Sequence, residues 1–229
     1  MTSAMPERVS VRERDAALLR TPSPAAAAGL PRVFEVGMAV GVLLLTAPLL
    51  AAAMLAIRLE SRGPALFRQR RLGVNGRTFD LVKLRGMYVD AAERFPDLYD
   101  YRQHRREEAA EYRFHTEDDP RVTRVGRFLR RYSIDELPNF WNVMRGDMAV
   151  VGPRPEIPDL AHMYGDDLAR ILSVRPGVTS PAKAEGRDDL SLHETIGLDL
   201  HYVENRSWIV DVATIVRTAI NVVRGHGVS

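Results

Sequence analysis

VGMAVGVLLLTAPLLAAAMLAI, Val36 to Ile57, carries no charged side chain over about 22 residues, roughly the helix length that crosses a hydrocarbon core. The stretch makes a membrane the first partner to consider. A cleaved secretory signal fits poorly, because the run is too long and starts too late for a short apolar core followed by a cleavage site. A buried helix of a soluble protein is the plainer alternative. Pro48 lies mid-run, where it removes a backbone donor and collides with the carbonyl four residues earlier, so a bend is expected there. Arg32 precedes the run, and Arg58, Arg62, Arg68, Arg70 and Arg71 follow it. The tendency of arginine to stay cytoplasmic pulls both ends to one side. Two forms stay open: a helix that dips into one leaflet and returns, and a simple kinked span.

Outside that run the chain reads as an ordinary globular sequence. Its 229 residues suit one main core plus an appendage. The 32 basic and 30 acidic side chains leave a formal net charge of +2, so local basic patches matter more than the total. There are no cysteines, which excludes disulfides, thiolate nucleophiles and cysteine-based metal sites. The division expected is residues 1–31 as a mobile polar and alanine-rich tail, 32–60 as the membrane helix and 61–229 as a compact domain.

Within that domain, GPALFRQRRLGVNGRTFDLVKLRGM (Gly63–Met87) alternates short β-type runs with Gly63-Pro64 and Asn75-Gly76, the signature of a small hairpin. The charged stretch Asp90–Asp119 favours helix with a solvated face and is assigned no chemistry. Further helices are expected at about 122–131, 138–144, 159–172 and 208–224. The last is amphipathic, with Asp211, Thr214, Arg217, Thr218, Asn221 and Arg224 on one side and Ile209, Val212, Val216, Ala219, Ile220 and Val223 on another. It is read first as a helix capping the core, and second as one lying in a membrane interface.

The chemistry gathers in RVTRVGRFLRRYSIDELPNFWNVMRGDMAVVGPRP (Arg121–Pro155). Ser133-Ile-Asp-Glu resembles a capping box, but with Ser133 as the cap Pro138 would fall where its missing N–H is needed. With Asp135 as the cap, Pro138 falls in the tolerant first turn, so Asp135 is expected at a helix mouth. Helical spacing puts Arg124, Arg127 and Arg131 on one face just upstream. Guanidinium groups beside a helix mouth suit a diphosphate. Two bland readings stand beside this one: a solvated basic face, and a face resting on anionic lipid. Nucleic acid is not expected, since no recognised motif or aromatic stacking run accompanies the arginines. Adjacent carboxylates in a basic pocket can divide the work, one attacking phosphorus and the other managing a proton or metal.

In order, the hairpin block, the Asp135-Glu136 block, RPGVTSPAKAEGRDDLS (175–191) and LDLHYVENRSWIVDVATIVRT (198–218) resemble the bacterial sugar transferases, the polyprenyl-phosphate phosphoglycosyl transferases of the monotopic type. The resemblance runs from about Arg32 to the C-terminus. It implies a mostly helical α/β fold: a re-entrant helix broken at Ala47-Pro48, then a compact catalytic domain on the cytoplasmic face of the inner membrane, with a small β-hairpin and interfacial amphipathic helices. It also implies transfer of a hexose 1-phosphate from a UDP-sugar to undecaprenyl phosphate, with release of UMP. Such a reaction starts an exopolysaccharide, capsule, O-antigen or glycoprotein glycan, and glycan-assembly enzymes or a second copy are partners to expect. Asp135 matches the nucleophile and a ligand of Mg2+, and Glu136 its dyad partner. Lys83, Arg85, Arg131 and Arg154 match substrate-binding positions. The chain departs from the usual pattern in having Ala47 where serine precedes the proline, Gly86 in place of threonine, and Ser180-Pro181, with Lys183 nearby, in place of Gly-Trp. The competing class is an inactive membrane scaffold of a glycan-assembly complex.

Overall fold

A computed structural model describes residues 28–99, 108, 119–185 and 190–224. The tail reading for residues 1–27 and most of the charged stretch after Tyr99 lie outside the described residues. What is described is mostly helical, with two small two-stranded sheets.

Helix α1, Arg32–Glu60, runs through Pro48 as one element. The Thr46 hydroxyl donates to the Val42 carbonyl at 2.6 Å, so a hydroxyl does flank the proline, one residue earlier than in the usual Ser-Pro pair. Only Glu35, Ala39, Ala53 and Ile57 of α1 are buried, two near each end. Ala39 packs into a core with Leu81, Val143, Met148, Val150, Val174 and Tyr202. Ala53 and Ile57 pack into another with Ala65, Leu84 and Leu129. Both ends of the helix therefore belong to the same folded domain.

Polar contacts fix each end. Glu35 accepts from the Val150 N–H at 3.0 Å and from Arg32 at 3.2 Å, while Arg32 also donates to the carbonyls of Met148, at 3.1 Å, and Val143. At the other end Glu60 accepts from the backbone N–H groups of Arg124 (2.8 Å) and Val125 (3.0 Å), the first turn of the following helix α3 (Arg124–Arg131). A carboxylate there satisfies donors that no intrahelical carbonyl reaches.

Strands β1 (Leu66–Leu72) and β2 (Thr78–Leu84) form the expected antiparallel hairpin. The loop between them puts Asn75 at φ 55° and Gly76 at φ 71°, a conformation these two residue types adopt cheaply. Ala91–Arg94 forms a single helical turn, α2. Helix α4, Asn139–Arg145, is tied to β2 through buried Asn142, which accepts from the Val82 N–H (3.1 Å) and donates to the Asp80 carbonyl (2.8 Å).

The second sheet pairs β3 (Ala149–Val151) in parallel with β4 (Gly177–Thr179). Gly152 and Gly177 let the chains meet: a Cβ on Gly177 would lie 2.1 Å from the Gly152 nitrogen. Between these strands the single helix expected at 159–172 is broken. Short helices α5 (Ala161–Tyr164) and α6 (Asp167–Ile171) are separated by Gly165 at φ 56°. Helix α7 is Pro181–Glu185, and α8, Leu192–Asn205, opens with a capping box of Ser191 and Glu194. Helix α9, Trp208–Val223, closes the described chain.

The face that α9 turns inward is mixed, with Val210 and Ile215 packed against the core beside polar side chains. Asp211 and Thr214 are buried; Asp211 accepts from the Leu30 N–H (2.8 Å) and the Tyr202 hydroxyl (2.7 Å), and Thr218 bonds Thr179 at 2.7 Å. Ile209, Val212, Val216, Ile220 and Val223 are exposed. The helix does cap the core, but with the side that carries Asp211, Thr214 and Thr218 inward and the expected apolar side outward.

Candidate active site

Asp135 does not cap a helix, as the position of Pro138 had suggested. It sits in a 3-10 turn, Ile134–Glu136, and Leu137 and Pro138 stay right-handed helical, so the chain enters α4 without the extended residue that a side-chain cap needs. Ser133 makes the reversal. It lies at the end of α3 with φ 52° and ψ 24°, a left-handed conformation costly for a residue with a Cβ, and it makes no side-chain cap bond.

The turn delivers Asp135 and Glu136 into a cavity of about 440 Å³ walled by both strands of the hairpin, α3, the Arg154–Ile157 segment and α7. Lys83 reaches it from β2, Arg130 from α3, Arg154 from after β3 and Lys183 from α7. Glu136 is held at both oxygens: Lys83 Nζ lies 3.1 Å from Oε1, and Lys183 donates to Oε2. Asp135 is 9 % exposed and has no hydrogen-bond or ion-pair partner among the described residues. Of the two neighbours, one carboxylate is committed and the other is available.

Lys83 has a strongly lowered pKa, about 7. Burial is the main cause; the charges of Arg154, Arg71 and Arg130 add to it, and Asp135 opposes it. Two more expected residues have their guanidinium groups engaged elsewhere or outside the cavity. Arg85 lines the cavity wall, but its guanidinium is turned to the carbonyls of Arg62 (2.6 Å) and Ser61 (2.9 Å), which seats the chain leaving α1. Arg131 is exposed, with its guanidinium 6.0 Å from the Tyr132 ring, and it is not among the cavity-lining residues. Arg130, its neighbour, lines the cavity instead. Gly86 leaves room for it, since a Cβ there would lie 3.1 Å from the Arg130 Nε.

Sequence reasoning also missed three polar groups near the site. Lys183 was noted only as a neighbour of a departure from the usual pattern. Asn139, one helical turn after Asp135, is buried at the cavity wall with its Oδ1 unpartnered. Asp199 of α8, 1 % exposed, accepts from the Arg154 N–H at 3.2 Å through Oδ2, and its Oδ1 has no partner. Burial raises the Asp199 pKa to about 7; Glu156 adds to this, while Arg154 opposes it. Only the i to i+4 step from Thr195, which lines the cavity, to Asp199 hints at such placement, and helix α8 had not been read from the sequence.

Among the described residues no group of three or more His, Asp or Glu side chains could hold a metal ion. One unpartnered carboxylate in a cavity that also carries Lys83, Arg130 and Arg154 suits magnesium that arrives with its phosphates, since magnesium is commonly bound through one or two carboxylates plus substrate oxygens. Asp135 is the residue that fits this role.

Residues 26–225 match the family model described as bacterial sugar transferase. Over 200 residues the chain is 41% identical to an undecaprenyl-phosphate glucose phosphotransferase of Komagataeibacter xylinus, covering 82% of this chain and 34% of that protein. It is 40% identical over 166 residues to the galactosyl transferase CpsE of Streptococcus agalactiae serotype III (strain NEM316), covering 72% of this chain and 36% of that one. A UDP-galactose-lipid carrier transferase of Erwinia amylovora is 36% identical over 200 residues, covering 86% of this chain and 41% of that protein. The chain thus spans about a third of the length of the first two relatives.

Proposed function

Since the chain belongs to the bacterial sugar transferase family, we propose that it moves a hexose 1-phosphate from a UDP-sugar to undecaprenyl phosphate through a covalent intermediate on Asp135. The observation that carries this reading is the asymmetry of the dyad: Glu136 is held by two lysines while Asp135 faces a basic cavity without a partner.

In the first step an Asp135 carboxylate oxygen attacks the phosphorus that bears the sugar. A new carboxylate O–P bond forms, the bridging P–O bond breaks, and UMP leaves with its electron pair. In the second step an oxygen of the lipid phosphate attacks the same phosphorus. The acyl O–P bond breaks, Asp135 is regenerated, and the sugar is left on a lipid diphosphate. Lys83, Arg130 and Arg154 offset the charge that gathers on the transferred group. Magnesium held by Asp135 and the diphosphate would supply further charge neutralisation.

The lipid acceptor requires the cavity to sit at a membrane. With Arg32–Ala39 and Leu50–Glu60 docked on one domain, residues 40–49 are left to enter the bilayer, about 15 Å of helix against a hydrocarbon core of about 30 Å. This supports a re-entrant helix rather than a span, with the domain on the cytoplasmic side that flanking arginines favour. The outward apolar face of α9 is suited to the same interface.

The test is UMP release by purified protein in nanodiscs containing undecaprenyl phosphate, with magnesium and a panel of UDP-sugars. Release with one sugar, lost in folded Asp135→Asn, is the expected result. Undiminished release in that variant would end the nucleophile assignment.

A further inference from the structure

Lys183 has been given no part in the reaction itself, and it lies in the block where this chain departs from the common pattern. It is nonetheless the second cation on Glu136. Its position is fixed at several points: its N–H donates to the Ser180 hydroxyl at 3.0 Å, and its Nζ also donates to the Val178 carbonyl at 3.2 Å. The helix that bears it is fastened to α9, through Asn221 donating to the Ala184 carbonyl (2.8 Å) and through an Arg217–Glu185 pair (3.2 Å).

Lys83 is placed differently. It lines the same cavity as Asp135, the side chain next to which a reacting phosphorus must sit, together with Arg154, Arg71 and Arg130. An arriving phosphate therefore has a nearby lysine to recruit, but recruiting it takes one counterion from Glu136. A partly buried carboxylate stripped of its counterion is costly and repels an incoming anion.

We propose that Lys183 is a positioning residue that keeps Glu136 neutralised and in place while Lys83 is handed from Glu136 to the phosphate being bound. Lys183 acts through Glu136 and does not itself touch the phosphate. The inference rests on the sugar-phosphate transfer reading, because that reading places a diphosphate beside Asp135.

The test is a double-mutant cycle read as the affinity for magnesium pyrophosphate by calorimetry, which needs no turnover. Four proteins in nanodiscs are compared: the natural chain, Lys183→Gln, Glu136→Gln and the double variant. Lys183→Gln alone should weaken binding on the order of tenfold, the cost of leaving a charged partner unsatisfied. In the Glu136→Gln background the same change should have no effect, and Lys183→Arg should restore most of the affinity. Equal losses in both backgrounds would mean that Lys183 grips the phosphate directly, and no loss in the single variant would mean that Lys83 needs no helper; either overturns the proposal. Thermal unfolding checks that each protein is folded, and Lys183→Met, which keeps the alkyl stem, carries the cycle if the glutamine variant does not fold. A natural chain that binds magnesium pyrophosphate yet releases no UMP from any UDP-sugar would refute the transfer reading alone, with the cycle still deciding the role of Lys183.

Discussion

Single residues in this protein carry strain and charge that have a measurable cost. Ser133 adopts a left-handed conformation to turn Asp135 into the cavity. Ser133→Gly should keep activity and leave unfolding unchanged or slightly improved, whereas Ser133→Val should lose about 1–2 kcal/mol in denaturant unfolding. Asp199 titrates near 7 in the folded chain and near 4 when unfolded, so the native state holds the extra proton between those values. Stability from this group therefore falls as pH rises from about 4 to about 7 and stays low above that. Asp199→Asn should raise the unfolding temperature relative to the natural chain at pH 8, with the gain shrinking towards pH 4; an equal gain at both would contradict the assignment. Asp135 and Glu136 were legible in the sequence as paired carboxylates in a basic setting, and Lys83 and Arg154 only through the family resemblance. Lys183 and Asp199 were not, because each reaches the site from an element distant in the chain whose approach no local pattern encodes.

At the level of elements, what the sequence made visible depended on how strongly each segment is patterned. The uncharged run and the Asn75-Gly76 hairpin were readable because composition and turn chemistry act locally. Strands β3 and β4, of three residues each, exist through their pairing across a long crossover, so no alternation announces them. The segment 159–172 has helical composition, but Gly165 interrupts it. Helix α9 has the period that was expected and the opposite orientation, because Asp211 finds a backbone N–H and a tyrosine hydroxyl inside the domain. Charges on its outer face should therefore spare the fold. Val216→Glu and Ile220→Glu should change stability in detergent by less than about 0.5 kcal/mol while lowering binding to anionic vesicles in sedimentation assays. Glu35→Ala should behave in the opposite way, losing about 2–4 kcal/mol by orphaning the Val150 N–H and Arg32 at the buried end of α1.

The whole molecule is organised around a helix whose two ends are fastened to one domain, with the cavity between the hairpin and α7 beside it. The absence of native cysteines makes the resulting topology easy to probe. Single cysteines introduced for Pro31 and Arg62, just outside either end of α1, should both react with an impermeant maleimide only when the cytoplasmic face is open to it; labelling of the two from opposite faces would mean a span. The central claim concerns the bond formed inside the cavity. Its most direct measurement is intact-protein and peptide mass spectrometry after incubation with the UDP-sugar and magnesium in the absence of lipid phosphate. The account predicts a phosphosugar adduct on the peptide carrying Asp135, absent in Asp135→Asn and discharged when undecaprenyl phosphate is added. Full turnover by the natural chain with the adduct on another residue, or with none trapped while Asp135→Asn still turns over, would contradict it.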